Sequence, residues 1–184
     1  MAISQRILII ISMSLLLSSC TTNKFSEPYA DTYEKYQAKY KGTQVDEAAV
    51  NKFSTLFAQL ENNGTLEQRI RNLYANDLYF NDTFNTFTNL DALVNYLIHT
   101  AEQGVGVDVK IDDIAQNNND YYIRWTMSLE FSDTETLKSI GITHLRFNED
   151  QKVVLHQDYW DGVEGFYQTI PVVGYLLKQV RNRL

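Results

Sequence analysis

The sequence predicts an α+β domain, with helices first and an antiparallel sheet after them. Three observations predict it. Between Asp46 and Gly106 apolar residues recur at i, i+3, i+4 and i+7. Beyond Gly106 the period drops to two, the spacing of a strand with one buried face. The 184 residues are 44% hydrophobic and 12% aromatic, enough for one domain with a substantial core and a short extension.

Asp46 caps a predicted helix that runs to about Asn62 and presents Phe53, Leu56, Phe57 and Leu60 on one side. Asn63-Gly64 stops it. Thr65, with Gln68 three residues on, has the pattern of a capping box and opens a second helix over 65–76, with Leu66, Ile70, Leu73 and Tyr74 on one face. A short strand, Leu78 to Asp82, follows. A third helix over 90–103 buries Leu90, Leu93, Val94, Leu97 and Ile98, and Gly104 and Gly106 close it. His99 falls at its end, where a cation suits the helix dipole.

In the sheet region Val107, Val109 and Ile111 alternate with Asp108, Lys110 and Asp112. Asn117 to Asp120 is a turn cluster. Tyr121, Ile123, Trp125, Met127, Leu129 and Phe131 then mark the clearest strand in the chain, apolar along one whole face. Two more strands, about Ile140 to Phe147 and Val153 to Trp160, are joined by a hairpin loop at Asn148 to Gln151. With Leu145 and Phe147 on the core side, His144 and Arg146 face solvent.

The amino terminus reads as an address. Arg6 precedes an apolar run, Ile7 to Leu17, which suits a signal-peptide core and is too short for a resident span. The run ends in Leu17-Ser18-Ser19-Cys20, which resembles the lipobox of bacterial lipoproteins. That resemblance implies cleavage before Cys20 and a lipid on its sulfur, and two or more acyl chains anchor firmly. The expected division is a signal peptide over 1–19, a lipidated tether over 20–44, a globular domain over 45–161 and a helical tail over 162–184. The implied location is the cell envelope, on the outer membrane facing the periplasm if the source has two membranes, since Thr21 rather than Asp follows the Cys. In the tether, Tyr29, Tyr33, Tyr36 and Tyr40 recur at helical spacing; the tyrosines pack on their own domain or on the membrane surface, and the first reading is preferred.

Pro171 opens a tail whose Val173, Leu176, Leu177, Val180 and Leu184 form an apolar stripe beside Lys178, Arg181 and Arg183. It is a C-terminal amphipathic helix that covers the domain, touches anionic lipid or binds a partner. Covering the domain is preferred, because an apolar stripe seeks burial.

Composition excludes several functions. A formal net charge of -7 argues against nucleic acid. One Cys excludes an internal disulfide framework, and the three His show no HxH or HExxH spacing, so no metal site is expected. Phosphate loops and nucleophile elbows are absent, and no cofactor is expected.

Two segments resemble a family. Tyr74-Ala75-Asn76-Asp77-Leu78-Tyr79-Phe80-Asn81-Asp82 is similar to an element of the nuclear transport factor 2-like superfamily, in its SnoaL-like branch. Val153 to Asp161, with its His156-Gln157-Asp158-Tyr159-Trp160-Asp161 run, is similar to that branch's last strand. The resemblance covers roughly residues 46–161. It implies a curved antiparallel sheet shaped as a cone around an apolar cavity, with the three N-terminal helices packed on it. It does not fix an activity, because the superfamily holds isomerases, cyclases, epoxide hydrolases and non-enzymatic binding domains.

An apolar cavity does chemistry only through an acid or base inside it. Asp158 and His156 share one strand parity with Val154 and Trp160, and the resemblance favours that parity as the inward one. In cyclases and isomerases of this kind an Asp is the general base, which implies Asp158 in that role with His156 beside it. The other reading of His156, Asp158 and Asp161 is a hydrogen-bonded brace at the strand end. Trp125, Trp160, Asp82 and Tyr79 are expected around a ligand, with Trp125 also serving as core and Asp82 capping the loop before Phe84. Two functions remain open: an envelope lipoprotein that binds a small apolar ligand or a protein partner, with the sheet as a candidate homodimer surface, or an enzyme with Asp158 as base.

Overall fold

The computed structural model describes residues 29–183 except 62, 103–105, 133–134 and 168–169. The signal segment, Cys20, the start of the tether, Gly104 and Leu184 lie outside the described residues, as do the side chains of Val107, Leu129 and Phe131.

Helix α1 is Tyr29–Lys39, α2 Glu47–Ala58 and α3 Leu66–Leu73. Strands β1 (Tyr74–Asn81) and β2 (Thr86–Asn89) precede α4 (Leu90–Glu102). The strands β3 (Gly106–Asn117), β4 (Asp120–Ser132), β5 (Glu135–Phe147) and β6 (Val153–Trp160) follow, then α5 (Gly162–Gly165) and α6 (Pro171–Arg181). Asp46 caps α2 by accepting from the Ala49 N–H at 2.9 Å, and Asn89 accepts from Ala92 N–H at the head of α4. The capping box at Thr65 does not form: the Thr65 hydroxyl turns back to Asn63 at 2.8 Å.

One curved sheet has the order β2-β1-β6-β5-β4-β3. Its neighbours are antiparallel except β1 and β6, which run parallel. The strands expected to be antiparallel, β3 to β6, are so, and β1, to which the sequence assigned no direction, joins them parallel to β6. Parallel neighbours need a long crossover, and everything from β2 to β5 supplies it; hydrophobic period carries no strand direction. The unpredicted β2 is a four-residue edge strand with little burial, so it left no alternation to read.

Helices α2, α3 and α4 pack on one face, here the inner face. Ala49, Phe53, Leu56, Ile70, Leu73, Leu93 and Leu97 form one core with Tyr121, Ile123, Leu145, Phe147 and Val153. Burying each of the Leu, Ile, Val and Phe side chains among them is worth about 1.5–3 kcal/mol against leaving it in water. Register slips at Ile111/Asp113 and Arg146/Phe147 are bulges, which bend strands.

The outer face carries α1. Tyr33 and Tyr36 meet the Tyr79 ring edge-on and tilted, at 5.8 and 5.9 Å between centroids. Arg146 donates to the carbonyls of Gln37 and Tyr40, both at 2.8 Å, satisfying acceptors at the end of α1. His144 is 1% exposed. The expectation that His144 and Arg146 face water is therefore corrected: they point outward from the sheet, but α1 covers them. The tail also departs from expectation. On α6, Val172, Tyr175, Leu176 and Val180 stay more than half exposed, at 72, 64, 57 and 57%. Phe166 and Tyr167, ahead of α6, are the tail residues whose rings pack against Phe84.

Candidate ligand-binding site

A cavity of about 330 Å³ lies between α2, α4 and the inner face of β3 to β6. Phe53 and Phe57 from α2, Tyr96 from α4, Val109 and Ile111 from β3 and Met127 from β4 give it apolar walls. Phe84 and Phe166 stand at one corner. Of the sequence-predicted residues, Asp82, Trp125, His156, Asp158 and Trp160 all line it.

Tyr79 does not. Its partner across the ladder is Leu155, on the outer face, while its neighbour Phe80 pairs with His156 on the inner one. The Tyr79 hydroxyl donates to Gln157 Oε1 at 2.6 Å, under α1. Consecutive residues of a strand point to opposite faces, so Phe80 inward sends Tyr79 outward.

The parity of β6 turns on one extra residue. Phe147 pairs with Val153 and Arg146 with Leu155, leaving Val154 as the bulge. Val153 is therefore inward, Leu155 outward, and His156 and Asp158 inward again. This is why both parities of the segment read as apolar in the sequence.

A hydrogen-bond chain crosses the cavity wall. The Trp125 indole N–H donates to Thr143 Oγ1 at 2.9 Å, and the Thr143 hydroxyl donates to Asp158 Oδ1 at 2.5 Å. His156 Nε2 lies 2.9 Å from the same Oδ1, and His156 Nδ1 lies 2.7 Å from the Tyr74 hydroxyl. A proton on His156 Nε2 satisfies every contact: Tyr74 donates to Nδ1 and Nε2–H donates to the carboxylate. Burial holds the Tyr74 phenol pKa well above its ordinary value, with the Asp158 charge adding, so the phenol keeps its proton. Asp158 Oδ2 has no hydrogen-bond partner among the described residues. The side chain is 15% exposed and lines the cavity.

Asp82 is the second carboxylate. Its Oδ1 accepts from the N–H groups of Phe84 and Asn85 at 3.0 and 2.8 Å, so it caps the loop as expected. Its Oδ2 accepts from the Tyr96 hydroxyl. Burial raises the Asp82 pKa, and the Asp158 charge pushes the same way against the hydrogen bonds from Tyr96 and the loop. The Trp160 indole N–H donates to the Asp82 carbonyl at 3.1 Å. Among the described residues no group of three His, Cys, Asp or Glu is placed to hold a metal ion.

The donors of the wall are spent inside it. Trp125, Trp160, Thr143 and Tyr96 all donate to neighbours, and Thr100 donates to the Tyr96 carbonyl. Sequence reasoning missed Thr143, Tyr96 and the role of Tyr74. The signal for Thr143 was a hydroxyl sharing parity with Leu145 and Phe147; a lone polar group on a core face needs a partner. Tyr74 and Tyr96 carry no such signal, because their hydroxyls sit at the ends of rings that read as core.

The site and fold define an α+β domain with a mostly apolar cavity between its helices and the inner face of its sheet. The chain belongs to the SnoaL-like family, whose domain model matches residues 54–156. No curated protein sequence matches it. Its fold is similar to an LEH-like epoxide hydrolase of M. tuberculosis, at 19% identity over 64% of this chain and 86% of that one, TM-score 0.52. It is also similar to a nuclear transport factor 2-like protein from Exiguobacterium, at 15% identity over 61% and 98%, TM-score 0.52. A third similar structure is a Catenulispora acidiphila protein of ketosteroid isomerase-like fold in complex with trimethylamine, at 16% identity over 66% and 91%, TM-score 0.54. At such identities the likeness establishes the fold alone.

Proposed function

We propose that this protein is an envelope lipoprotein whose domain, with the sheet as the wall of a cone, binds a small and mostly apolar molecule. One observation carries the reading. The cavity of about 330 Å³ is walled by apolar side chains, yet one carboxylate in it keeps an oxygen unpartnered among the described residues. An apolar chamber with few placed polar groups is the usual form of a small-molecule site.

The test is direct. Organic extracts of the protein purified from its native membrane, read by mass spectrometry, should hold a small molecule that the cavity-filling variant Met127→Trp lacks. Extracts that match between the two proteins would overturn the reading.

The anchor rests on Leu17-Ser18-Ser19-Cys20 after an apolar core. The tail supports placement at a membrane: its exposed apolar residues lie beside Lys178, Arg181 and Arg183, and no acid follows Glu164. Labelled fatty acid should enter the wild type and not Cys20→Ser; equal labelling would refute lipidation. The homodimer surface we propose is the outer face, where Ile140, Ile142 and Tyr159 are exposed beyond α1.

A second reading is an enzyme with Asp158 as general base. His156 and Thr143 hold Oδ1, which would leave Oδ2 for a substrate proton. Binding is preferred because the wall spends its donors internally, and an oxyanion needs donors aimed at it.

A further inference from the structure

The wall of the cavity is built from two materials, and together they select a charge. Aromatic rings dominate one end. Phe84 meets Trp160 at 5.4 Å and 72°, and Phe166 at 5.0 Å and 73°. Three rings set nearly perpendicular make a corner whose faces and edges point in different directions. A ring face is electron-rich and attracts a cation, best of all over an indole. Asp82 sits at this corner, its carbonyl held by the Trp160 indole.

The second material is carboxylate. Asp158 and Asp82 both line the cavity, and neither Lys nor Arg does. The His156 imidazole is held by the Tyr74 hydroxyl on one nitrogen and by Asp158 on the other, so both of its ring nitrogens are engaged inside the wall. Among the described residues the chamber therefore sets two carboxylates in apolar surroundings with no Lys or Arg beside them; the His99 imidazole, from α4, also lines it. Burial raises the Asp82 pKa, and the Asp158 charge adds to that rise.

An anionic guest would meet two like charges, and Trp125, Trp160, Thr143 and Tyr96 already donate to neighbours in the wall. A neutral guest would fill the space without using either carboxylate. A guest with an apolar body and one positive nitrogen would use the whole wall.

We propose that the cavity recognises a small organic cation: an alkyl- or aryl-ammonium with a hydrophobic body, its charged nitrogen lying between the Trp160–Phe84 corner and the Asp158 carboxylate. This rests on the reading above that the cavity is a small-molecule site, and it names the class of molecule. No covalent step is involved.

The chain has only two Trp, and both line the cavity, so tryptophan emission reports this site alone. The full-length protein is titrated with phenyltrimethylammonium and, separately, with its uncharged isostere tert-butylbenzene, against protein-free detergent blanks. The expected result is that the cation quenches or shifts the emission and binds at least tenfold more tightly than the isostere. Asp158→Asn should weaken the cation about tenfold. An isostere that binds as tightly as the cation, or a cation unmoved by Asp158→Asn, overturns the charge selection and leaves the small-molecule reading standing. Silence with both probes overturns both. The wild-type comparison needs no variant to fold, so it decides the matter even if Asp158→Asn is unstable.

Discussion

Two Tyr–His–Asp chains lie on opposite faces of the same sheet, and only one opens on a cavity. On the inner face Tyr74 meets His156 at 2.7 Å, and His156 meets Asp158 at 2.9 Å. On the outer face Tyr33 meets His144 at 3.0 Å, and His144 meets Asp120 at 2.6 Å. The residue types and the order are the same. What differs is the rest of the carboxylate. Arg146 takes both oxygens of Asp120 and ties them to the carbonyls at the end of α1, so that chain is a clasp. Asp158 has Thr143 on one oxygen and, among the described residues, nothing on the other. A His–Asp pair becomes a candidate site through what its second oxygen meets, not through the pair itself.

The largest test breaks the clasp. Arg146→Met leaves Asp120 and two helix-end carbonyls without their cation, and should cost about 3–4 kcal/mol in urea unfolding. A loss below about 1 kcal/mol would mean that α1 rests on its tyrosines alone.

Next is the wall behind the inner chain. A Cβ on Gly141 would stand 2.3 Å from the Trp125 ring, and Gly141 faces Trp125 directly across β4 and β5. Gly141→Ala must push the indole toward the cavity, costing about 1–3 kcal/mol and shifting tryptophan emission. Unchanged emission would show that the sheet, not the indole, gives way.

The comparison sharpens with matched amides. An Asn at 158 keeps an oxygen for Thr143 and His156, so Asp158→Asn should cost under about 1 kcal/mol. Asp120→Asn places an amide against Arg146 and should cost about 2 kcal/mol. Chemical denaturation of the two variants side by side checks the order, and reversal would make the inner chain the brace.

The smallest effect is in pH. Burial lowers the His144 pKa from 6.5, outweighing the pull of Asp120. The unfolded chain then binds this proton more readily than the native one, so stability falls as pH drops below about 6.5. Asp120, which burial pushes up but Arg146 and His144 together pull below 3.8, adds a further loss at more acidic pH. Asp82, with its raised pKa, acts in the opposite direction just above 3.8. His144→Gln should flatten the stability profile between about pH 7 and 5; a slope that survives assigns the titration elsewhere.

The amino-acid order alone determined the element types. Helical spacing at Phe53, Leu56 and Phe57, then alternation at Tyr121, Ile123 and Trp125, needs only local periodicity to read. The residues around the cavity were largely legible for the same reason, since Asp82, Trp125, His156, Asp158 and Trp160 each stood in or beside an apolar pattern. Tertiary structure decided which faces those patterns met. The bulge at Val154 exchanged the parity of β6, the inward turn of Phe80 sent Tyr79 to the outer face, and α1 covered His144 and Arg146, which period two alone would leave in water. Bulges, strand direction and coverage by a distant helix are set by partners far away in the chain, and no local pattern of hydrophobicity encodes where those partners lie.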